Sequence, residues 1–542
     1  MSEINESSRE LDVAVIGAGF SGIYVVYSFK KRGLNVKAFE KGAGVGGTWF
    51  WNRYPGCGSD IESLEYSYSF SEELQQDWKW KERYGSQPEI EAYLEHVTDR
   101  FGLRDDIELA KEVVDLLWEG HSNRWRVSFA DGEIVSAKFC VMATGLLSSP
   151  KKVEFPGLST FHGELLETYN WPHEHVSFEG KRVGIIGTGS TAVQAIPIIA
   201  ETASELVVFQ RTPNFSAPRN NGPLDPEYES RVKSMYAQWR EKQRNSFGGY
   251  VSVNFQPEEP NPNAGSDMTD DQILEEFELR WKSGGLSFYT SFYDLLLNKE
   301  VNDKLGEFFR EKIRAKIKDP DKARLLVPNG YPVLTKRLCA DTNYYETFNA
   351  EHVHIVDLSE TPIQRFSELG ITTTQTNYEF DQIILATGFD AVTGALVNMN
   401  IKGAEGRTLR ETWVDGPRTN AGLMTNGFPN MFFVNGPGSC TGFFNPVLNV
   451  EYQGEWFGEL IRYMDENGHE RVDSSCEGDA YWVDHMAEVA RPTLFWNSEN
   501  WYIGANVPGK SRVMLLYLGG FPAYKEYTGD QSANEYPSFN FS

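Results

Sequence analysis

The sequence predicts an α/β fold that contains two parallel βαβ units. Two glycine-rich turns, at residues 17–22 and 187–192, each follow an apolar strand and open a helix with apolar periodicity. Each unit also has a later apolar strand that ends in Ala-Thr-Gly, at residues 143–145 and 386–388. These later strands indicate that the chain leaves one domain and then returns to it.

Length and composition agree with several globular domains. The chain has 542 residues, which corresponds to two to four domains at roughly 100 to 200 residues each. Hydrophobic residues make up 40% and charged residues 24%, and no window approaches the ~18 consecutive apolar residues that a membrane span requires. We therefore expect a soluble globular protein that does not span a membrane.

The charge balance limits the class of partner. With 51 basic and 77 acidic residues, the formal net charge is −26, and so acidic a surface repels nucleic-acid phosphates and anionic membranes. The polar, acidic stretch at residues 1–12 lacks the pattern of a signal peptide, which predicts a cytoplasmic protein. We expect neither nucleic acid nor a membrane as a partner.

The cysteines argue against two further classes of protein. A disulfide scaffold needs an even, clustered set of cysteines, and a dithiol redox centre needs a close pair. The five cysteines are scattered and include no C-x-x-C pair: Cys57, Cys140, Cys339, Cys440 and Cys476. We therefore predict neither class, and we predict no metal site.

The first glycine turn is typical of a dinucleotide site. It follows a strand over 13–16 and precedes a helix and a second strand over 36–40. A backbone without Cβ atoms lets a pyrophosphate approach the free N–H groups at the helix N-terminus. Glu40, at the end of the second strand, can accept hydrogen bonds from ribose hydroxyls but repels a 2′-phosphate. The first site therefore suits FAD or NAD(H).

The second unit repeats this arrangement with a different residue at the end of its second strand. A strand over 182–186 precedes the turn, and the next strand, over 206–211, ends at Arg211. Arginine is a permanent cation with several hydrogen-bond donors, which favours a 2′-phosphate. The second site is therefore predicted to prefer NADPH.

Two further regions differ in composition. Charged amphipathic segments with helical spacing, such as 226–244 and 270–282, predict a helical insertion over about 221–330. Beyond residue 388 the sequence is rich in glycine, proline and aromatic residues. Here 436–439 and 501–509 are predicted to be loops of the kind that often line sites.

Residues 46–60 carry a specific pattern. They read Gly-Gly-Thr-Trp at 46–49, Tyr-Pro-Gly at 54–56 and an aspartate at 60. Residue frequencies give on the order of 10⁻⁵ chance matches per chain. The segment resembles the flavin-contacting fingerprint of type I Baeyer-Villiger monooxygenases. The similarity extends over essentially the whole chain and is closer to the phenylacetone and steroid monooxygenase branch than to the cyclohexanone branch.

The resemblance implies two Rossmann-like dinucleotide-binding domains, for FAD and NADP, with the helical insertion in the NADP domain. Residues 1–145 and 386–542 would form the two parts of the FAD-binding domain, the second part carrying the C-terminal active-site loops, and 146–385 the NADP-binding domain. NADPH would reduce the flavin, O₂ would add to the flavin C4a carbon, and the peroxyflavin would insert one oxygen next to a ketone carbonyl. The product would be an ester or a lactone, the partners a small-molecule ketone and O₂, and a monomer is favoured.

A second family signature, F-x-G-x(3)-H-x(3)-W-P, falls just before the second unit. Phe161, Gly163, Trp171 and Pro172 match it, but Glu167 occupies the histidine position. In the family this segment is an interdomain linker thought to couple cofactor binding to domain rearrangement. Two interpretations stay open: the carboxylate impairs coupling, or the linker needs only its packing residues.

The resemblance also implies the roles of individual residues. Arg337 lies in a match to the family's catalytic arginine loop, which places it by the flavin as a cation that stabilises peroxide without protonating it. Asp60 matches the acid that positions this arginine. Lys336 and Arg211 correspond to the pair that clamps the 2′-phosphate, and Trp501 to a tryptophan that contacts the nicotinamide nucleotide.

These assignments give three sets of predicted site residues. The FAD set is Gly17, Gly19, Gly22, Glu40, Gly47, Thr48, Trp49, Asp60 and Tyr66. The NADP set is Gly187, Thr188, Gly189, Ser190, Thr191, Ala192, Arg211, Thr212, Lys336, Arg337 and Trp501. By resemblance to the active-site bulge of the phenylacetone branch, the ketone pocket is predicted at Cys440, Thr441, Gly442 and Phe443.

Other functions share parts of this pattern. A flavin-dependent N- or S-oxygenating monooxygenase has the same two cofactors but acts on an amine or a sulfide. A disulfide reductase needs a redox-active cysteine pair, which the chain lacks. A non-catalytic or poorly coupled homologue would follow if Glu167 has impaired the linker.

Overall fold

The computed structural model describes residues 9–251 and 261–542. Part of the predicted acidic N-terminal stretch, at 1–8, and part of the predicted helical insertion, at 252–260, lie outside the described residues. Two large sheets carry the two glycine turns.

The first sheet has eight strands, and its centre is buried. The strand Arg9–Ile16, which precedes the first glycine turn, is almost continuously apolar after its first residues because both faces of the sheet are covered. The order is Asn400–Lys402, Val113–Glu119, Arg124–Phe129, Ile134–Met142, Arg9–Ile16, Val36–Phe39 and Ile107–Glu108, and Met431–Phe433 also pairs with Ile134–Met142. The strand Arg124–Phe129 is antiparallel to both of its neighbours, and the remaining pairs are parallel.

The second sheet has five parallel strands. Its order is Val353–Asp357, Glu205–Gln210, Arg182–Ile186, Gln382–Leu385 and Glu164–Glu167. The second glycine turn follows the central strand. Both glycine turns therefore lie at the carboxyl ends of parallel strands, where open α/β sheets bind ligands.

Three small sheets join distant segments. They are the antiparallel set Ile363–Ser367, Gly370–Thr373 and Asn377–Glu379, the antiparallel pair Val472–Ser474 with Phe539–Phe541, and the parallel pair Ser216–Pro218 with Cys339–Asp341. The parallel pair matters for the site. Arg219 follows one of its strands and Arg337 precedes the other, so the pair joins the two segments of the chain that carry these arginines.

Five helices lie between residues 226 and 326 of the described chain: Pro226–Ser234, Tyr236–Asn245, Asp270–Ser283, Lys299–Lys316 and Pro320–Leu326. Four of them begin with a side-chain cap, from Asp225, Thr269, Asn298 and Asp319. Such caps satisfy the free N–H groups of a first helical turn. The remaining helices before residue 446 are Phe20–Lys31, Thr48–Trp51, Glu72–Asp77, Gln87–Arg100, Ser190–Ala200, Tyr344–Thr347, Gly394–Val397 and Leu409–Thr412.

The region beyond residue 388 contains three long helices where the sequence analysis emphasised loops: Pro446–Asn467, Cys476–Ala490 and Phe521–Ala533. Their aromatic residues, such as Trp456 and Trp482, are buried in the main core, so they stabilise helix packing rather than line loops. The segment 501–509 is mostly irregular, as predicted, apart from the 3₁₀ turn Trp501–Ile503.

Candidate active site

The first glycine turn is closely packed. A Cβ atom on Gly17, whose φ is 107°, would lie 2.6 Å from the Ala143 carbonyl oxygen, and one on Gly22 would lie 1.9 Å from the Gly17 oxygen. The helix that follows has no side-chain cap and no acidic residue in its first turn. Its N–H groups are therefore available to an anion, which fits the FAD pyrophosphate.

Glu40 and the segment 46–60 complete this part of the site. The buried Glu40 carboxylate accepts hydrogen bonds from the N–H groups of Ala18, at 2.9 Å, and Gly42, at 2.8 Å, which hold it beside the turn. Gly47 lies in contact with Gly19: a Cβ on Gly47 would be 3.0 Å from the Gly19 Cα. These contacts place Glu40 and the start of the 46–60 segment against the same turn.

The other predicted FAD residues lie along the 46–60 segment and just beyond it. Thr48 and Trp49 open the short helix Thr48–Trp51, and the Trp49 indole donates to the Tyr66 hydroxyl at 3.3 Å. Further along, Gln194 of the second unit's helix donates to the Gly58 carbonyl at 3.0 Å and accepts from the Tyr54 hydroxyl at 2.9 Å. The fingerprint segment therefore connects the two dinucleotide units.

The second glycine turn has an open side. A Cβ on Gly187, whose φ is 120°, would lie 2.3 Å from the Ala386 oxygen, whereas one on Gly189 would meet nothing within 4 Å. The Thr188 hydroxyl donates to the Thr212 carbonyl at 2.9 Å and holds the turn. Ser190, Thr191 and Ala192 form the uncapped, acid-free first turn of the helix Ser190–Ala200. The exposed space at Gly189 fits the approach of an NADP pyrophosphate.

Cations surround the second turn. Arg211 is exposed, and Lys336 lies 4.1 Å from the Tyr331 ring centroid. Burial lowers the pKa of Lys336, and the nearby charge of Arg211 lowers it further. The same two causes lower the pKa of Lys151, which the sequence analysis did not single out. None of these three cations forms an ion pair with another described residue, so the cluster fits a polyanion such as the NADP phosphates.

Arg337 and Asp60 form a two-point ion pair. Arg337 Nε donates to Asp60 Oδ2 at 2.9 Å, and Arg337 Nη2 donates to Asp60 Oδ1 at 2.7 Å. The side chains are only 18% and 25% exposed. Burial raises the pKa of Asp60, but the charge and hydrogen bonds of Arg337 lower it overall. Burial lowers the pKa of Arg337, yet the charge and hydrogen bonds of Asp60 raise it overall, so both groups stay charged.

Arg219 is a second cation beside this pair, and the sequence analysis missed it. It is 8% exposed and its Nη2 donates to the Ser59 carbonyl at 2.8 Å, next to Asp60. Its charge also lowers the pKa of Asp60. No local pattern distinguishes Arg219 from a surface arginine, because its position depends on the pairing of Ser216–Pro218 with Cys339–Asp341.

The predicted pocket loop contacts Arg337 directly. Arg337 Nη1 donates to the Gly442 carbonyl at 2.6 Å. Cys440 and Thr441 are fully buried, and the Phe443 ring lies 4.2 Å from the Tyr502 ring and 4.8 Å from the Phe495 ring, measured between centroids.

Trp501 lies on the other side of this loop. Its Cη2 atom is 3.2 Å from the position of a Cβ on Gly442, and the loop, Trp501 and Arg337 therefore meet in one place. Tyr502 and Phe495 join the loop through ring contacts that the sequence analysis did not predict.

Glu167 ends the strand Glu164–Glu167 at the carboxyl edge of the second sheet. It pairs with Leu385, which in turn pairs with Ile186 just before the second glycine turn, so Glu167 lies two strands, or about 10 Å, from that turn. Burial raises the pKa of Tyr169, and the nearby Glu167 carboxylate raises it further. Further along, the Trp171 N–H donates to the Trp51 carbonyl at 3.3 Å, so this segment touches both dinucleotide units.

Disulfides, metal sites and membrane spans each place requirements on the described residues. All five cysteines are free, and four are buried. Over residues 9–251 and 261–542, no three or more His, Cys, Asp or Glu side chains are grouped to hold a metal ion. Within those same ranges, every helix is too short or too polar to cross a bilayer.

Comparison with known proteins identifies close relatives over the whole length. A family model described as pyridine nucleotide-disulphide oxidoreductase matches residues 14–253. The chain is 39% identical to the acetone monooxygenase (methyl acetate-forming) of Gordonia sp. (strain TY-5), over 99% of this chain and all of the relative. It is 36% identical to a phenazine N-monooxygenase of Lysobacter antibioticus, over 99% of this chain and 98% of the relative.

Solved structures agree with this result. An oxidized steroid monooxygenase bound to NADP is 44% identical, with a TM-score of 0.93 over 98% of this chain and 99% of that one. A complex of OTEMO with FAD and NADP is 37% identical, with a TM-score of 0.93 over the same shares. The fold is therefore α/β with FAD- and NADP-binding Rossmann domains. The chain belongs to the type I Baeyer-Villiger monooxygenases, flavoproteins that use FAD, NADPH and O₂ to convert ketones to esters or lactones.

Proposed function

We propose that Arg337 is the catalytic cation of this monooxygenase and that Asp60 positions it. The observation that carries the proposal is the Arg337 hydrogen-bond set: two N–H groups on Asp60 and one on the Gly442 carbonyl of the pocket loop. A guanidinium has five N–H donors, so two remain for an oxygen atom that develops negative charge. Because arginine stays protonated, it stabilises that charge without giving up a proton.

We assign the two dinucleotides to the two glycine turns. The Glu40 carboxylate beside the first turn suits the FAD ribose, and the unpaired cations Arg211 and Lys336 suit the NADP 2′-phosphate. When bound, FAD and NADPH would supply the electrons that activate O₂, one atom of which the reaction inserts. On this assignment, residues 1–145 and 386–542 form the FAD domain, and 146–385 the NADP domain with its insertion.

We propose an apolar ketone as the substrate. The loop 440–443 is buried beside Arg337, and the rings of Phe443, Phe495 and Tyr502 pack together there. Apolar walls with one cation favour a molecule whose single polar group is the carbonyl. The carbonyl oxygen would then lie at Arg337, which is only 18% exposed, so the charge interaction is stronger there than in bulk water.

Product analysis over a ketone panel tests the function. Purified enzyme with FAD and NADPH is incubated with linear, cyclic and aryl-alkyl ketones, and the extracts are analysed by gas chromatography. We expect ester or lactone from at least one ketone class, together with ketone-stimulated NADPH consumption. Absence of ester from every ketone, in a protein that retains FAD, would contradict the proposed substrate class.

N-oxygenation is the second candidate function. The identity of 36% with a phenazine N-monooxygenase supports it, because that relative aligns over nearly its whole length. The same incubation with a phenazine or another aromatic amine distinguishes the two. N-oxide as the sole product, without ester from the ketone panel, would favour this second function.

We further propose that the enzyme works in the cytoplasm as a monomer. The acidic composition, with a net charge of −26, favours mutual repulsion between copies of the chain. The buried free cysteines favour a reducing compartment. Light scattering of the purified holoenzyme measures the oligomeric state.

Glu167→His is expected to raise the amount of product formed per NADPH consumed. The backbone of Glu167 lies two strands, or about 10 Å, from the turn that we assign to the NADP phosphates, so a negative charge on this residue repels them, and histidine removes that charge. Parallel assays of NADPH consumption and product measure the coupling. Glu167→Gln is the matched control, since it removes the charge without adding an imidazole. Unchanged coupling in both variants would indicate that the linker needs only its packing residues.

A further inference from the structure

Tyr502 carries a buried hydroxyl group without a partner. Its side chain is fully buried, and its Oη atom has no hydrogen-bond partner among the described residues. Leaving a buried polar group unsatisfied costs about 1–3 kcal/mol, so such groups are rare in folded proteins. A bound molecule that accepts a hydrogen bond from this hydroxyl would remove that cost.

The ring that carries this hydroxyl lies at the proposed active site. The Tyr502 ring lies 4.0 Å from the Trp501 ring and 4.2 Å from the Phe443 ring, between centroids. Its Cε1 atom, next to the hydroxyl-bearing carbon, is 3.6 Å from the position of a Cβ on Gly442. The Gly442 carbonyl accepts a hydrogen bond from Arg337, so the Tyr502 ring and the guanidinium both lie against the same pocket loop.

The backbone holds Tyr502 in this position. The Leu515 N–H donates to the Tyr502 carbonyl at 2.8 Å, and the Ile503 N–H donates to the Asn500 side chain at 3.1 Å. The hydroxyl is therefore unpaired although its segment is well anchored. The Thr441 hydroxyl, also buried in the pocket loop, has no partner among the described residues either.

The chemistry of the two side chains specifies the missing partner. Burial raises the pKa of Tyr502, with a further contribution from Tyr289, so the phenol stays protonated and is available as a donor. Arg337 can only donate. Two donors beside an apolar pocket require an acceptor oxygen, and a ketone carbonyl has one with two lone pairs.

We propose that the Tyr502 hydroxyl donates a hydrogen bond to the carbonyl oxygen of the ketone and so positions that carbonyl beside Arg337. The inference rests on the proposed role of Arg337 and the 440–443 pocket. Tyr502 then contributes to ketone affinity and orientation. Binding of the ketone satisfies a group that is unpaired in the free enzyme.

Tyr502→Phe tests the proposal, because it removes the hydroxyl and keeps the ring. We expect the equilibrium dissociation constant and the KM for the ketone to rise about 2- to 12-fold, which corresponds to the roughly 0.5–1.5 kcal/mol of a neutral hydrogen bond. Calorimetric titration of the oxidised FAD-containing enzyme with a ketone that the wild type converts measures the dissociation constant without turnover. Tyr293→Phe, on a side chain that is 65% exposed, is the matched control.

Three outcomes would overturn the proposal. If ketone affinity is unchanged, the hydroxyl does not contact the substrate. If NADP⁺ affinity falls while ketone affinity stays the same, the hydroxyl binds the nicotinamide carboxamide instead. If the thermal unfolding midpoint of the ketone-free enzyme falls, the hydroxyl has a partner within the protein. Failure of the proposed function is distinct, since it would appear as wild-type enzyme that forms no ester at all.

Discussion

Replacement of Arg337 with alanine is expected to reduce ester formation by roughly 100-fold or more while FAD stays bound. Removal of one preorganised donor to a developing oxyanion typically costs on the order of 10²- to 10³-fold in rate. Arg337 also joins Asp60 to the pocket loop, so the alanine variant loses the organisation of the pocket as well. Gas chromatography of the ester and the flavin absorbance spectrum measure the two results. Flavin reduction by NADPH should also become slower.

Two variants separate catalysis from folding. Arg324→Ala is the control, because that side chain is 63% exposed and its contact with Glu360 is 3.9 Å long, a geometry that contributes little stability. Arg337→Lys keeps a positive charge but loses the two-point contact with Asp60, and its rate should fall between wild type and alanine. Ester formation at the wild-type rate in Arg337→Ala would refute the proposed role of this residue.

Arg211→Ala is expected to raise the KM for NADPH by roughly 10- to 100-fold and to leave the KM for NADH nearly unchanged. Hydrogen bonds to charged groups contribute about 1.5–3 kcal/mol, and only NADPH carries the 2′-phosphate. Arg211 forms no ion pair with a described residue, so its removal leaves no carboxylate unpaired. Steady-state rates with each nucleotide, at a saturating ketone concentration, give both KM values.

Lys336→Ala provides an independent variant of the same cation cluster. The Lys336 side chain lies over the Tyr331 ring and near the charge of Arg211. We therefore expect Lys336→Ala to raise the KM for NADPH more than the KM for NADH. Arg314→Ala, on an exposed helix position, is the control for the loss of one positive charge. An unchanged ratio of the two KM values in Arg211→Ala would remove the assignment of the 2′-phosphate to this arginine.

The dinucleotide units could be predicted because their signals are local. Each glycine turn, its preceding strand and its following helix occupy about 20 consecutive residues, and backbone geometry over such a length follows from the residues themselves. The uncapped, acid-free first turns of both helices agree with that pattern. The roles of Arg337 and Asp60, in contrast, came from family resemblance and not from their local pattern.

The C-terminal helices show why amino-acid composition predicted secondary structure less well than the local motifs did. The segment around Pro446–Asn467 contains glycine, proline and aromatic residues that favoured loops in the sequence analysis. In the structure, Asn445 caps this helix, its proline occupies the first turn, and Trp456 and Phe457 are buried against the core. Tertiary packing of an aromatic face can stabilise a helix that local propensity does not favour.

The sequence by itself determined that the chain has two glycine turns typical of nucleotide binding, that one is followed by a carboxylate and the other by a cation, and that it contains no C-x-x-C pair. The family resemblance anticipated the pairing of Asp60 with Arg337, which lie 277 residues apart in the chain. Only the tertiary structure decided that Arg219 lies beside them and that the hydroxyl of Tyr502 is unpaired among the described residues. The physical reason is the separation along the chain over which each kind of interaction acts. Turn and helix signals act over a few residues, whereas these contacts depend on how distant strands and loops pack against each other.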